Sequence, residues 1–212
     1  MPSRTDLRAK LTVKGLSNYN GSAGNSASYM LPFGGPGAAL YRTGGIIFPY
    51  TPNITVSHQV DYSMYDVVHT NYQQNAYNST RNPAIQVTGS FVSQTPEEAQ
   101  YTVGVMHFLR VVSKMHFGAR DADRGTPPPV LNFSAYGAYN FSNIPVVVGS
   151  FDFVYEDGVD YVEVVTAGET VQIPSMMTIS ISLMPQYSPG KVTGQFNLNE
   201  FASGAIYKNG FI

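Results

Sequence analysis

Between residues 177 and 183 the chain alternates without a break. Met177, Ile179, Ile181 and Leu183 fall on one side, and Thr178, Ser180 and Ser182 on the other. A period of two sends successive side chains to opposite faces, so this stretch suits a strand with one face buried and one wet. The pattern returns at Ile54, Val56, Val60 and Tyr62, and again at Ile85, Val87, Gly89 and Phe91. Residues 130–136, 144–155 and 160–165 are β-branched and aromatic runs divided by turn residues. Thr166-Ala167-Gly168-Glu169 predicts a hairpin turn. The chain reads as mainly β.

One helix interrupts the strands. Thr95-Pro96-Glu97-Glu98 supplies an N-cap hydroxyl, a proline at the first helical position and a glutamate three residues on, which is a capping box. Gly118 is a natural stop, so the helix is predicted over about 95–118. Tyr101, Val105, Phe108, Leu109 and Val112 make one apolar stripe. The opposite face carries Gln100, His107, Arg110 and Lys114, yet Val103, Gly104 and Val111 lie among them. Those three predict that the outer face also meets protein, and they are candidate inter-subunit contacts.

The flanks read differently. Residues 15–45 hold eight of the 20 glycines, with many Ser and Asn, and little apolar area to offset the entropy of ordering. Residues 1–45 are expected to form a flexible arm, basic at its start through Arg4, Arg8, Lys10 and Lys14. Residues 46–189 form the β domain, and residues 190–212 a docking C-terminal tail, too sparse in apolar residues to fold alone. Residues 61–82, polar and Tyr-rich, predict a projecting loop.

Composition narrows the chemistry. Charged residues are only 12% of the chain, and 15 tyrosines stand among many Ser, Thr, Asn and Gln; such a neutral, aromatic surface suits wide protein contact. Twelve basic residues against 14 acids disfavour tight nucleic-acid binding, which draws affinity from neutralised phosphates. With no cysteine, disulfides, thiolate metal sites and Cys nucleophiles are excluded. Met1 to Gly15 lacks the apolar core of a secretory signal. The apolar stretch at Ile144 to Val148 is far too short to span a bilayer, so a soluble chain is expected.

The histidines do not assemble a metal site on paper. His107 and His116 point to opposite helix faces, and His58, facing with Ile54 and Val56, predicts a half-buried histidine. Asp121-Ala122-Asp123-Arg124-Gly125 lacks the glycine and glutamate of a calcium loop and predicts a turn with local Asp–Arg pairs. Gly34-Gly35-Pro36-Gly37 lacks a phosphate-loop lysine, and no G-x-S-x-G elbow occurs. No catalytic residue, cofactor site or metal ligand is assigned. Neutral strands, a Tyr-rich projection and sticky ends together describe an assembly subunit.

Several blocks then resemble a known family. They are His69-Thr70-Asn71-Tyr72, Ala76-Tyr77-Asn78, Glu98-Ala99-Gln100-Tyr101, His107-Phe108-Leu109-Arg110 and Lys114-Met115-His116-Phe117-Gly118. Gly125-Thr126-Pro127-Pro128-Pro129-Val130-Leu131, Pro145-Val146-Val147-Val148, Asp160-Tyr161-Val162 and Leu183-Met184-Pro185-Gln186-Tyr187-Ser188-Pro189 follow, with Phe201-Ala202-Ser203-Gly204 and Gly210-Phe211-Ile212 at the end. From about residue 46 onward the chain resembles the baseplate tail-tube initiator proteins of contractile-tailed phages, a branch of the tail-tube family.

That resemblance implies a tail-tube-like β-sandwich or barrel of antiparallel strands with one flanking helix. It implies six copies in a ring whose sheets join into an inner barrel, seated between the baseplate hub and the first tail-tube ring. Genomic DNA or the tape-measure protein would pass the bore without specific binding, and the protein would reside in the virion after assembly in the host cytoplasm. Glu156, Asp157, Asp160 and Glu163 are candidates for the lumen, with a solvated hairpin tip as the other reading. Tyr72 and Tyr77 are candidate contacts between subunits or rings. Alternatives are another tube-like ring, such as a tube subunit or a terminator, and a carbohydrate-binding β-sandwich module.

Overall fold

A computed structural model describes residues 6–14, 30–32, 34–66, 68–121 and 123–212. These residues are mainly β. Seven strands form one antiparallel sheet: β1 (Lys10–Val13), β2 (Gly45–Ile47), β3 (Asn53–Tyr65), β4 (Gln74–Val92), β5 (Leu131–Ala135), β6 (Phe141–Tyr155) and β9 (Met176–Pro185), in the order β2-β1-β5-β6-β9-β4-β3. Between β6 and β9 in sequence, β7 (Tyr161–Thr166) and β8 (Glu169–Pro174) pair as a separate hairpin. Its turn holds Ala167 at φ 53° and Gly168 at φ 85°, the pair of left-handed residues that a tight two-residue hairpin requires.

The sheet must curl. Its two edge strands, β2 and β3, are joined by residues 48–52 alone, a link that reaches about 22 Å at full stretch. Laid flat, six inter-strand steps would separate the edges by about 29 Å. The edges therefore bend toward each other, and Phe48 from the link goes into the core against Phe91, with ring centroids 5.7 Å apart. Farther along, the Tyr136 hydroxyl donates to the Pro52 carbonyl across 3.3 Å.

The helix α1 (Pro96–Val112) plugs this curl. Both halves of its capping box form: Thr95 Oγ1 accepts from the Glu98 N–H, and Glu98 accepts from the Thr95 N–H. It ends at Ser113, short of Gly118, because residues after 113 turn away; the His116 N–H donates to Thr126, and the Gly125 N–H donates to His116. Val105, Phe108, Leu109 and Val112 join the sheet's main core. The other side of α1 meets the β7–β8 hairpin through Ala99, Val164 and Ile173, with Val103 packed against them. The layers are sheet, helix, hairpin.

Several expectations about the flanks are corrected by packing. The described part of 1–45 is no free arm: Leu11 and Val13 on β1 are core residues, as are Met30, Leu31 and Leu40. Segment 15–29 and Arg4 lie outside the described residues, and Arg8 pairs with Asp6 at 2.7 Å. At the other end, α2 (Pro189–Gln195), α3 (Leu198–Ala202) and a 3-10 turn at Ala205–Asn209 fold the tail back onto its own body. Ile206 and Phe211 are buried there. Residues that were too sparse to fold alone find a ready-made surface on the sheet.

Candidate interaction surfaces

The first surface is the outer half of the β3–β4 hairpin. Residues 61–82 are no loop: β3 and β4 stay paired out to Tyr65 and Gln74. Only Ile85 to Val92 of β4 meet β9, so the earlier part of β4 has β3 as its one ladder partner. An extra β4 residue near Pro83, where a ladder N–H is missing, and another beside Asn78 shift the register twice. These bulges break the simple alternation that periodicity reads, so the ribbon looks like a loop in sequence. They also leave His58 exposed rather than half-buried.

The ribbon is wet on both faces and rich in apolar side chains. Met64 is 70% exposed, Val68 77% and Tyr72 85%, with Tyr62, Tyr65 and Tyr77 also exposed. Tyr62 and Tyr77 meet edge to face at 6.0 Å. The Arg81 guanidinium donates to Asp61 at 2.7 Å, the Asn78 amide to Ser63 at 2.7 Å and the Gln73 amide to Asp66 at 2.9 Å. Cross-strand pairs of this kind hold the ribbon in shape. Among the described residues nothing beneath it does.

The second surface is the uncovered face of the sheet. Rows run straight across four strands: Asn53, Thr88, Ser180 and Asp152 in one, and Thr55, Gln86, Ser182 and Ser150 in the next. The middle members of the rows satisfy each other, with Thr88 and Ser180 hydroxyls 3.1 Å apart and the Gln86 amide donating to Ser182 at 2.9 Å. At its lower end Thr178 donates to Glu156 across 2.8 Å. The result is a neutral, hydroxyl-rich face with two carboxylates, Glu156 and Asp152, toward one border.

The acidic candidates therefore separate. Glu156 joins the hydroxyl face, and Asp157 is exposed in the turn beside it. Glu163 alternates with Val162 and Val164, which face α1, so it points outward from the hairpin, across the helix from the sheet. Asp160 lies at the start of that hairpin, its carbonyl accepting from Ser175. Sequence reasoning missed Asp152, hidden in an aromatic run and revealed only by its row.

The helix candidates are corrected. Gly104 is buried by its own chain: a Cβ there would lie 3.3 Å from the Pro36 carbonyl and 3.5 Å from Leu40. Val103 is covered by the hairpin. Val111, on the Gly104 side, stays half-buried. At Gly104 and Val103 the protein that this face meets is the same chain. Tyr101 adds a further lock, since its hydroxyl accepts from the Ile47 N–H at 2.8 Å and donates to the Ile47 carbonyl at 3.0 Å. That closes the outer edge of β2.

Other chemistry-bearing groups are engaged locally. Asp121 takes His116, not Arg124, as its partner at 2.9 Å. In a cleft of about 720 Å³ between Asp6 to Ala9 and Pro49 to Pro52, hydrogen bonds from Arg8 hold the Asp6 carboxyl down at about 2. Among the described residues no cluster of three potential metal ligands occurs, and no helix is long and apolar enough to cross a membrane. No protein-family model matches this chain, and no curated protein matches it.

Proposed function

We propose that this chain is a structural ring subunit of a contractile phage tail, the baseplate ring from which the tail tube starts. The observation that carries the reading is the outer β3–β4 ribbon: long, exposed on both faces, with Val60, Tyr62, Met64 and Tyr77 together on one of them, and open along its edges. A lone two-stranded ribbon is marginal in water, and an unprotected edge invites pairing with another chain. A closed ring of identical copies supplies those partners and abolishes the edges.

The resemblance of residues from about 46 onward to tail-tube initiators supports the same reading, as does the hydroxyl face. On this proposal that face lines the bore. Its lysines and arginines are few, so passing DNA gains no counterion-release affinity that would hold it. Glu156 and Asp152 then stand at the lumen, while Glu163 faces away from it. The ribbon, with Tyr72 and Tyr77, meets the neighbouring copy or the adjoining ring, the baseplate hub lying on one side and the first tube ring on the other.

Size-exclusion chromatography with negative-stain imaging of the concentrated protein tests this. Rings of about six copies around an open centre are the expected result. A monodisperse monomer or a trimeric fibre, both with and without hub protein added as a template, would remove the proposal.

A further inference from the structure

We propose that, in the ring, the outer edge of β3 of one copy pairs antiparallel with residues 148–155 of β6 in the next copy. The inference rests on the ring reading and names the joint that closes it. Three observations carry it.

The first is which edges are open. At one margin of the sheet β2 is only three residues long, and Tyr101 occupies its outward N–H and carbonyl at Ile47. Next to it β5 pairs with β6 no farther than Val146. Beyond that point, among the described residues, β6 has β9 on one side and no strand on the other. At the opposite margin, among the described residues, no strand lies on the outer side of the 13-residue β3. The outward-facing backbone groups of both edges are open to a further strand.

The second is face chemistry. Ile54, Val87, Ile181 and Phe151 form one row on the core side, and Val56, Ile85, Leu183 and Val148 another. Interior members of these rows are buried, while the end members Ile54, Val56, Val148 and Phe151 are half-buried. Joining β6 to the next copy's β3 continues each row, apolar side to apolar side and hydroxyl side to hydroxyl side. A one-residue slip would put Ile54 and Val56 among hydroxyls, so the pattern selects the phase.

The third is direction. β3 and β6 are separated by β4 and β9, and every pairing is antiparallel, so β3 and β6 run in opposite senses. Copies related by rotation about an axis along the strands keep those senses, and the joint is antiparallel like every other pair in the sheet.

The chain has no cysteine, which makes the test clean. Thr55→Cys is combined in turn with Ser150→Cys, Asp152→Cys or Val154→Cys, and the full-length protein is treated with a short bis-maleimide. A ladder of linked chains from at least one double variant, with every single variant staying unlinked, is expected. Linked dimers from Thr55→Cys alone would set β3 against its own equivalent and overturn the proposal. Rings seen by imaging but no ladder from any double variant would overturn the edge pairing and leave the ring reading standing. Ladders from chains that image as open filaments would keep the pairing and remove the ring. Monomers without a ladder would remove both.

Discussion

Gly89 lies on the core face of β4 exactly where Phe48 enters from the link that closes the curl. A Cβ at 89 would stand 2.5 Å from the Phe48 ring, and that ring is buried with Phe91 5.7 Å away. Overpacking of this kind costs about 1–3 kcal/mol. Gly89→Ala is expected to lower the urea midpoint with an unchanged slope, whereas an unshifted midpoint would mean that Phe48 yields. At the C-terminus Tyr187 stacks on Phe211 at 5.2 Å, and Lys191 lies over the Phe211 ring at 5.1 Å. Burial pushes the Tyr187 hydroxyl up to about 12 from 10.0. A raised value favours the neutral form in the folded state, so this contribution is whole below pH 10 and lost as pH climbs toward 12. Near-ultraviolet circular dichroism of the docked tail is expected to weaken across that window, and Tyr187→Phe to resist the change. Equal loss in both proteins would assign the transition elsewhere.

Among the elements, the outer ribbon differs in kind from the rest of the sheet. Every other strand has a buried face; the ribbon is held by the Tyr62–Tyr77 contact, the Asp61–Arg81 pair and amide bonds between its strands. Exposed pairs of this sort contribute tenths of a kcal/mol each, so trimming the ribbon leaves the body intact. Tyr72→Ala with Tyr77→Ala is expected to keep the melting temperature of the isolated protein within a few degrees and to reduce ring assembly at least tenfold by light scattering. Normal rings from that variant would show that these tyrosines are not contacts. α1 is the contrasting case. Its cap, its stripe and its termination each have a local cause, and its second face is covered by two segments of its own chain, the hairpin and the turn around Ala38–Leu40.

For the whole molecule, low charge and abundant hydroxyls leave the proposed ring to close through backbone pairing and aromatic contact, with few ions to screen. The rings expected on imaging should accordingly persist when salt is raised. Local chemistry alone determined the mainly β character, the capping box at Thr95, the turn at Ala167-Gly168 and the alternation of β9, because each depends on neighbours within a few residues. Tertiary structure decided the rest. It turned residues 61–82 into a ribbon, exposed His58, and buried Gly104 under a turn more than 60 residues away in sequence. It gave order to Leu11 and Phe211 and sorted Glu156 from Glu163. The physical reason is common to all of these. A period of two records which way a side chain leaves its own strand, but which strand, helix or solvent lies on that side is fixed only when distant segments pack.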